Sequence, residues 1–562
     1  MAVEPTVSQL QIRDQAALDL RIIAPAGCGK TEALALRVVG LIDRGSVVPP
    51  RRILVLTFSK RARDNIRERL QSYLSPGQLR DLVTVINFHG LSGRLIEAHG
   101  NVIGLDPAFE LPTSDWVGAQ CRTRKLSFQH SRFVETTLRE AKQEPRDDTA
   151  VAGALRLAGD TVAIDIEHLR LAERRLTYDD LPRLAELILG NDAVAELYRQ
   201  HFACIVVDEF QDLTLQQLRI VTAIGYRRTT YAGDLAQAIY SFAGAQPEEV
   251  LRRIEDETEH EVSFAQSHRS SPAVIDMINA LAPLTNGQRL TCAAPGRWPG
   301  GGLAGMLGFD STAAEASWAV EFSRAVVQWA PQHRIGIIAR TKARRRFVDD
   351  QLTGGELPHY RWDDPILDGD TARILARTLA GLSESECRTT ADLPQLLAER
   401  TGIEEVQDSE TRTSLTDAIG WACDQLREDI DLDTIRARVR TGTETTLLTA
   451  AGAHVLSGHV GKGQQFDWVL VLGAEDGCIP DFRAESPSQH AEEARVLGVM
   501  MSRARHGIVV SHAAVVEASN GRPWRKEPSP FLLHLQKAAP HQATADIRTW
   551  LDAADWAKLA IR

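Results

Sequence analysis

Short apolar runs and helical stretches alternate along the first hundred residues. Leu20–Ile23, Ile53–Thr57 and Val83–Ile86 are apolar runs with the length of buried strands. Leu34–Leu41, Lys60–Leu74 and Leu91–Ala98 follow them with helical spacing. This βαβ rhythm predicts a parallel sheet. From about Gly100 to Gln200 the strand pattern stops, and charged segments of helical periodicity predict a mainly helical insertion. Strand-like runs resume at Ala203–Val207, Thr229–Ala232 and Glu261–Phe264. A Gly- and Pro-rich break, Ala294–Gly302, marks a second unit with buried-strand candidates at Arg334–Ala339, Trp468–Leu472 and Gly507–Ser511. A smaller helical insertion is predicted between Arg361 and Thr443. The chain therefore reads as α/β, with two parallel-sheet domains each interrupted by helices. Ala545–Ile561, with Trp550 and Trp556, reads as a short amphipathic helix that packs on its own core in preference to a partner.

At 562 residues the chain exceeds what one core can organise, and 43% hydrophobic with 25% charged residues is an ordinary globular composition. No apolar run is long enough to cross a bilayer and no secretory h-region opens the chain, so a cytoplasmic protein without a membrane partner is expected. Seven scattered cysteines without a CxxC pair argue against a zinc site, an iron–sulfur cluster or a disulfide framework. The net charge of −11, from 64 basic and 75 acidic residues, describes the average surface and not a groove. Basic residues cluster locally at Arg51–Arg52, Lys60–Arg69 and Arg340–Arg346.

Candidate chemistry begins after the first strand, at Ala24-Pro25-Ala26-Gly27-Cys28-Gly29-Lys30-Thr31. Strand, glycine loop and helix in that order are what a phosphate-binding loop requires. The glycines let backbone N–H groups of Ala26 to Thr31 turn toward phosphate oxygens, and the helix start adds its positive end. Lys30 suits the β- and γ-phosphates of ATP, and Thr31 suits Mg²⁺. Cys204–Glu209 reads as a buried strand ending in two carboxylates. Asp208 is placed to hold the Mg²⁺ shell, and Glu209 to orient and deprotonate the attacking water.

The ordered series of motifs that follows resembles the UvrD/PcrA/Rep-like superfamily 1 DNA helicases, from Ala24 to Arg505. In that family Ala is common at the first loop position. Ile53–Ala62 resembles the strand-contacting motif Ia, and Thr84–His89 the adjoining "TFHG" element with Asn87 in place of Thr. Thr57, Ser59 and His89 suit phosphate contacts and Phe58 offers a stacking face, while the competing reading makes Phe58 and Phe88 core aromatics. Asp208-Glu209-Phe210-Gln211-Asp212 matches motif II. Gly233–Ala245 resembles motif III, in which the resemblance makes Gln237 the γ-phosphate sensor and puts Tyr240 and Phe242 on the DNA side. Ala238 and Ala243 replace the usual Ser and Arg there.

Gln266–Ser271 corresponds to motif IV, with Arg269 for the γ-phosphate and His268 in place of the Tyr that stacks on adenine. Arg340-Thr341 resembles the DNA-binding motif opening the second core domain. Ser457–Phe466 resembles motif V: Ser457 and His459 for the strand, Gly463 for close backbone approach to the nucleotide, and Gln465 in place of a ribose-binding Glu. Glu492–Arg505 resembles motif VI, with Arg503 as the arginine finger. Gln9, Gln11 and Gln15 compete for the adenine-reading position upstream of the loop.

The resemblance implies two RecA-like parallel-sheet P-loop domains, each carrying a mainly helical insertion. The expected division gives the first core domain 1–98 and 200–290, with 99–199 inserted, and the second 291–360 and 444–535, with a short insertion at 361–443 and a tail at 536–562. The implied function is an ATP- and Mg²⁺-dependent translocase on single-stranded DNA and 3′→5′ helicase acting at single/double-strand junctions. The alternative is a nucleic-acid-sensing ATPase subunit that licenses a partner nuclease, as in Gabija-type anti-phage defence. Repair, replication, recombination and defence all remain open as pathways, with a repair or defence protein as a possible partner.

Overall fold

The computed structural model describes residues 4–559 except 113–115, 242–243, 354–356, 363–365, 368, 391–392, 404–408, 428–429, 442–443, 461 and 519–521. It divides into two compact units: Met1–His268 with Thr285–Ala293, and Arg269–Leu284 with Ala294–Arg562. The division expected near residue 290 is thus interleaved. The hydroxyls of Ser270 and Ser271 donate to the carbonyls of Ala504 and His506 at 2.7 and 3.1 Å, which ties the helix Pro272–Thr285 to the second unit's chain.

In the first unit, β1 (Leu20–Ile23), β2 (Arg52–Thr57), β3 (Val83–Asn87), β4 (Phe202–Asp208), β5 (Thr229–Gly233) and β6 (Glu261–Ser263) form one parallel sheet in the order β3-β2-β4-β5-β1-β6. Every residue of β4 is buried, as a central strand covered on both faces requires. Two further short strands, β7 (Gln266–Ser267) and β8 (Thr291–Cys292), pair outside this sheet. Several helices start on a Ser or Thr whose hydroxyl and a Gln three residues on satisfy each other's backbone N–H groups. Thr6 with Gln9, Ser75 with Gln78 and Thr214 with Gln217 are the examples in this unit.

The first insertion is helical from Trp116 to His201, with an apolar core that includes Val134, Leu138, Val151, Leu155 and Ile166. Beside that core lies a buried ionic cluster. Lys142 meets Glu167 at 2.9 Å and Asp180 at 3.0 Å. Arg170 meets Glu167 at 2.6 Å, and Arg183 meets Asp180 and Asp148 at 2.8 Å each. Burial alone would raise the Asp180 carboxyl, but Lys142, Arg170 and Arg183 outweigh it and hold it far below the usual carboxylate range. The insertion is seated on the helix Leu215–Gly225, where Gln216 and Arg219 donate to the carbonyls of Lys142 and Gln143 at 3.1 and 2.8 Å.

The second unit repeats the architecture. Its strands β9 (Leu303–Phe309), β10 (Arg334–Ala339), β11 (His359–Arg361), β14 (Gly452–Ser457), β15 (Phe466–Leu472) and β16 (Ala504–Ala513) form a parallel sheet ordered β11-β14-β10-β15-β16-β9. The intervening pair β12 (Ile366–Leu367) and β13 (Arg440–Thr441) closes the base of a helical insertion built around Leu375, Leu379, Leu397, Ala418 and Ile435. A hairpin, β17 (Val515–Glu517) with β18 (Pro523–Arg525), follows β16. The tail forms two short helices, Thr544–Ala553 and Trp556–Leu559, in place of one. Trp550 and Trp556 close on the fully buried Trp468 of β15 at 5.8 and 5.6 Å, so both helices pack on their own unit. Among the described residues no helix is long and apolar enough to cross a membrane.

Removing Asp180 from the buried cluster leaves Lys142, Arg170 and Arg183 with only Glu167 and Asp148 to answer them. Asp180→Ala is therefore expected to cost the first unit about 3–5 kcal/mol. Urea unfolding of the variant against the wild type measures it, and a loss below about 1 kcal/mol, the range of an exposed pair, would show that the cluster does not hold the insertion.

Candidate nucleotide site and nucleic-acid interface

Strand order places the chemistry of the first unit. The carboxyl ends of β1, β5 and β4 lie side by side, and ligands of open parallel sheets bind outside such ends. The loop leaving β1 is pinned where the Ala24 N–H donates to the Gly233 carbonyl at 2.9 Å. Gly27 and Gly29 take φ of 82° and 85°, the left-handed region that glycine enters without strain. A Cβ on Gly29 would also stand 2.6 Å from the Gln9 amide nitrogen. Of the three competing glutamines, Gln9 reaches this loop: it is buried, and its Nε2 donates to the Gly29 carbonyl at 3.2 Å. The exposed His268 donates its backbone N–H to the Gly27 carbonyl at 2.9 Å.

Lys30 lies between two acids, with Nζ 3.2 Å from Asp208 Oδ1 and in direct contact with Glu209 Oε2. Burial pulls the ammonium pKa down, yet Asp208 and then Glu209 more than reverse this and leave it raised. Burial pushes the Asp208 carboxyl up and Glu209 adds to the shift, so the fall due to Lys30 does not restore the ordinary value. Two acids thus share one cation in a buried site. Asp208 and the Thr31 hydroxyl are hard oxygen donors, a set that fits Mg²⁺ with its retained waters.

Glu209 itself has φ of 57°, a left-handed conformation that costs a non-glycine residue on the order of 1 kcal/mol. Its Oε2 also accepts a 2.6 Å hydrogen bond from Gln211 Nε2. Gln211 Oε1 accepts from the Asp234 N–H at 3.0 Å, and Asp234 Oδ2 accepts from Gln237 Nε2 at 2.9 Å. Gly233 must be glycine for this passage, since a Cβ there would sit 2.3 Å from Gln211 Oε1.

The adjoining strands β2 and β3 carry the expected strand-contacting residues. Phe58, just past β2, stacks on Tyr240 with centroids 5.6 Å apart and planes at 20°. Thr57 is fully buried and its hydroxyl donates to the Ser59 carbonyl at 3.2 Å, while Ser59 caps the helix Lys60–Gln71. Both side chains therefore shape the loop in this structure. Phe88 is a core residue, and Asn87 caps its helix by accepting from the Gly90 N–H at 2.9 Å, which explains an Asn at that position. His89 meets Tyr178 edge-on at 5.5 Å, and burial lowers its pKa. Tyr178 comes from the insertion, and no motif in the sequence marks it. Phe242 lies outside the described residues.

In the second unit, Arg269 donates to the Ser502 carbonyl at 3.4 Å, beside Arg503. Arg503 is buried, donating to the Val460 and Gly458 carbonyls at 2.7 and 2.8 Å, which fastens motif VI to motif V. Arg340 is matched by both oxygens of Glu493, at 3.0 and 2.6 Å. Its third nitrogen donates to His459 Nδ1 at 3.2 Å, and since arginine only donates, the neutral ring carries its proton on Nε2. Burial, then Arg340, Arg503 and Lys462, lower the His459 pKa to about 4. Thr341 accepts from the Arg344 N–H at 3.3 Å, and Ser457 closes β14. Gly463 has φ of 85°, and both it and Gln465 are exposed.

One buried group in this unit has metal-like composition: His333, Asp467 and His506. Three of its ring nitrogens and one carboxylate oxygen already have partners, and His506 Nε2 stands 3.7 Å from Asp467 Oδ1. Nδ1 of His333 accepts from the Trp468 indole and Nδ1 of His506 from the Trp298 indole, at 3.0 Å each. His333 Nε2 then faces the Leu559 carbonyl at 3.1 Å, and Asp467 Oδ2 accepts from the Arg334 N–H at 2.9 Å. Through His333 the group clasps the tail at Leu559.

The UvrD/REP helicase N-terminal domain matches residues 6–258, and the UvrD-like helicase C-terminal domain matches 421–514. ATP-dependent DNA helicase UvrD2 of Mycobacterium tuberculosis is 28% identical over 556 residues, covering 91% of this chain and 78% of that protein. DNA helicase II of Haemophilus influenzae is 22% identical over 636 residues, covering 94% and 86%. ATP-dependent DNA helicase PcrA of Bacillus subtilis is 28% identical over 275 residues, covering 46% and 37%.

A histidine held neutral in the fold lets the unfolded chain bind the extra proton first as pH falls. The stability His459 contributes is present above its ordinary pKa of about 6.5 and is lost as pH falls toward about 4. His459→Gln is expected to lose less stability than wild type over that interval in thermal melts. Equal acid sensitivity would show that the ring is not held neutral.

Proposed function

We infer, for a chain that belongs to the UvrD-like helicase family, an ATP-driven motor that moves 3′→5′ along single-stranded DNA and opens single/double-strand junctions. The observation that supports it best is the Lys30 ammonium held by both Asp208 and Glu209 at the carboxyl edge of a parallel sheet. On this reading the γ-phosphate of ATP draws Lys30 toward itself and releases Glu209 to orient the attacking water. Mg²⁺, held by Thr31 and Asp208, supplies charge neutralisation at the β- and γ-phosphates when bound. Gln237, Arg269 and Arg503 respond to the γ-phosphate and stabilise charge as the bond breaks, and Gln9 reads the base. His268, Gly463 and Gln465 complete the nucleotide contacts, with Ala26 to Gly29 cradling the phosphates.

The DNA track on this proposal uses the Phe58–Tyr240 platform and His89 in one unit, and Arg340, Thr341, Ser457 and His459 in the other. Stacking on aromatic faces is sequence-tolerant, which a motor needs. Neutral His459 offers an Nε2–H donor that keeps its form across the physiological range.

Lys30→Ala is expected to abolish ATP turnover. Glu209→Gln is expected to bind ATP and hydrolyse it about 10²–10⁴-fold more slowly, the usual weight of a general base. Turnover in the purified variants with saturating single-stranded DNA tests both, and near-wild-type Glu209→Gln would remove the site assignment. Duplexes with 3′ or 5′ tails test polarity: the reading requires unwinding from the 3′ tail alone.

A further inference from the structure

Polar contacts of the first unit link the phosphate loop to motif III, and the chain then carries on to the aromatic platform. The path runs Lys30, Glu209, Gln211, Asp234 and Gln237, and Tyr240 follows three residues later on the stack with Phe58. We propose that Gln211 is a positioning residue that makes the setting of the general base Glu209 depend on whether DNA occupies the Phe58–Tyr240 platform. The proposal rests on the functional reading above.

Three features carry it. Gln211 is fully buried, and both ends of its amide are used: Nε2 on Glu209 and Oε1 on the Asp234 N–H. The amide cannot turn without losing both bonds, so a shift of Asp234 is passed to Glu209. Second, Gln211 and Lys30 hold the same oxygen, Oε2 of Glu209, so together they fix the orientation of the carboxylate. Third, the turn between platform and relay is short and braced. Asp234 caps Leu235–Gln237 by accepting from the Ala236 N–H at 3.0 Å, and Gln237 donates to the other oxygen of the same carboxylate. Gly233 lets Gln211 Oε1 pass close to the main chain, where a Cβ would stand 2.3 Å from it.

A base seated on Tyr240 moves the far end of this turn. The movement reaches Asp234 through its two side-chain bonds and reaches Glu209 through Gln211. The readout is therefore the ratio of DNA-saturated to DNA-free ATP turnover, a quantity that a merely structural residue does not set. Two variants separate the links: Gln211→Met removes both hydrogen bonds, and Gln211→Glu keeps the acceptor for Asp234 but replaces the donor to Glu209 with a like charge.

Site-to-site couplings commonly amount to about 5–150-fold, and both variants are expected to lower the turnover ratio by a factor in that range. The KM for ATP and the Kd for an oligothymidine are expected to stay at wild-type values. Combining Gln211→Met with Gln237→Ala should lower the ratio no further than the stronger single change, because both interrupt one path. Should Gln211→Met not fold, Gln211→Glu carries the same test. An unchanged ratio, equal losses with and without DNA, or additive effects of the two changes would each overturn the relay while leaving the motor assignment intact. A wild-type protein whose ATP turnover ignores DNA would overturn both.

Discussion

One buried ammonium between two carboxylates organises the first unit. Burial disfavours the charge on Lys30 and on Asp208, and each is favoured by the other. Such a triad holds only if strand, loop and helix deliver all three side chains to one point. The sheet order does that by setting β5 between β4 and β1. The glycine loop, the left-handed Glu209 and the absent Cβ of Gly233 are the local accommodations that this convergence requires.

The same order separates two kinds of chemistry. Loops after β1, β5 and β4 carry charged and amide groups suited to phosphate, whereas those after β2 and β3 carry Phe58 and His89. Motif III belongs to both sets, because it leaves β5 at Asp234 and returns Tyr240 to Phe58. In the second unit the counterpart is an arginine pair, Arg269 and Arg503, fastened to main-chain carbonyls, and an Arg340–His459 pair balanced by Glu493. Guanidinium groups bonded to carbonyls keep their full charge, whereas Arg340 has most of its charge answered by an acid.

Apolar runs made the strands legible, because a parallel strand covered on both faces needs every position filled: Cys204–Val207 and Trp468–Leu472 are strands for that reason. The α/β class with two parallel sheets was readable on the same ground. What the pattern hid are interactions without a local signature. Tyr178 reaches His89 from an insertion whose sequence carries no motif, and Glu493 meets Arg340 across 153 positions. The hydroxyl of Thr57, which suits a phosphate contact, is given in this structure to the Ser59 carbonyl, a partner two residues on that no pattern announces. The single tail helix became two because Ala554 and Asp555 let Trp556 turn back to the core. Gln9 could be told from Gln11 and Gln15 only by packing, since all three lie in one short stretch.

The clasp of His333 on Leu559 has a consequence for the order in which the protein comes into being. The two groups are 226 positions apart, and the indoles of Trp550 and Trp556 that cover Trp468 belong to the same late segment. A ribosome adding about 5–20 residues per second needs roughly 10–45 s to traverse that distance. Trp468 itself is made late in that interval, and the face that the tail covers stays open for the roughly 4–18 s that the next 88 positions to Trp556 take. The first unit contains no residue beyond Ala293. The emerging chain therefore carries its whole phosphate loop well before the second sheet is sealed.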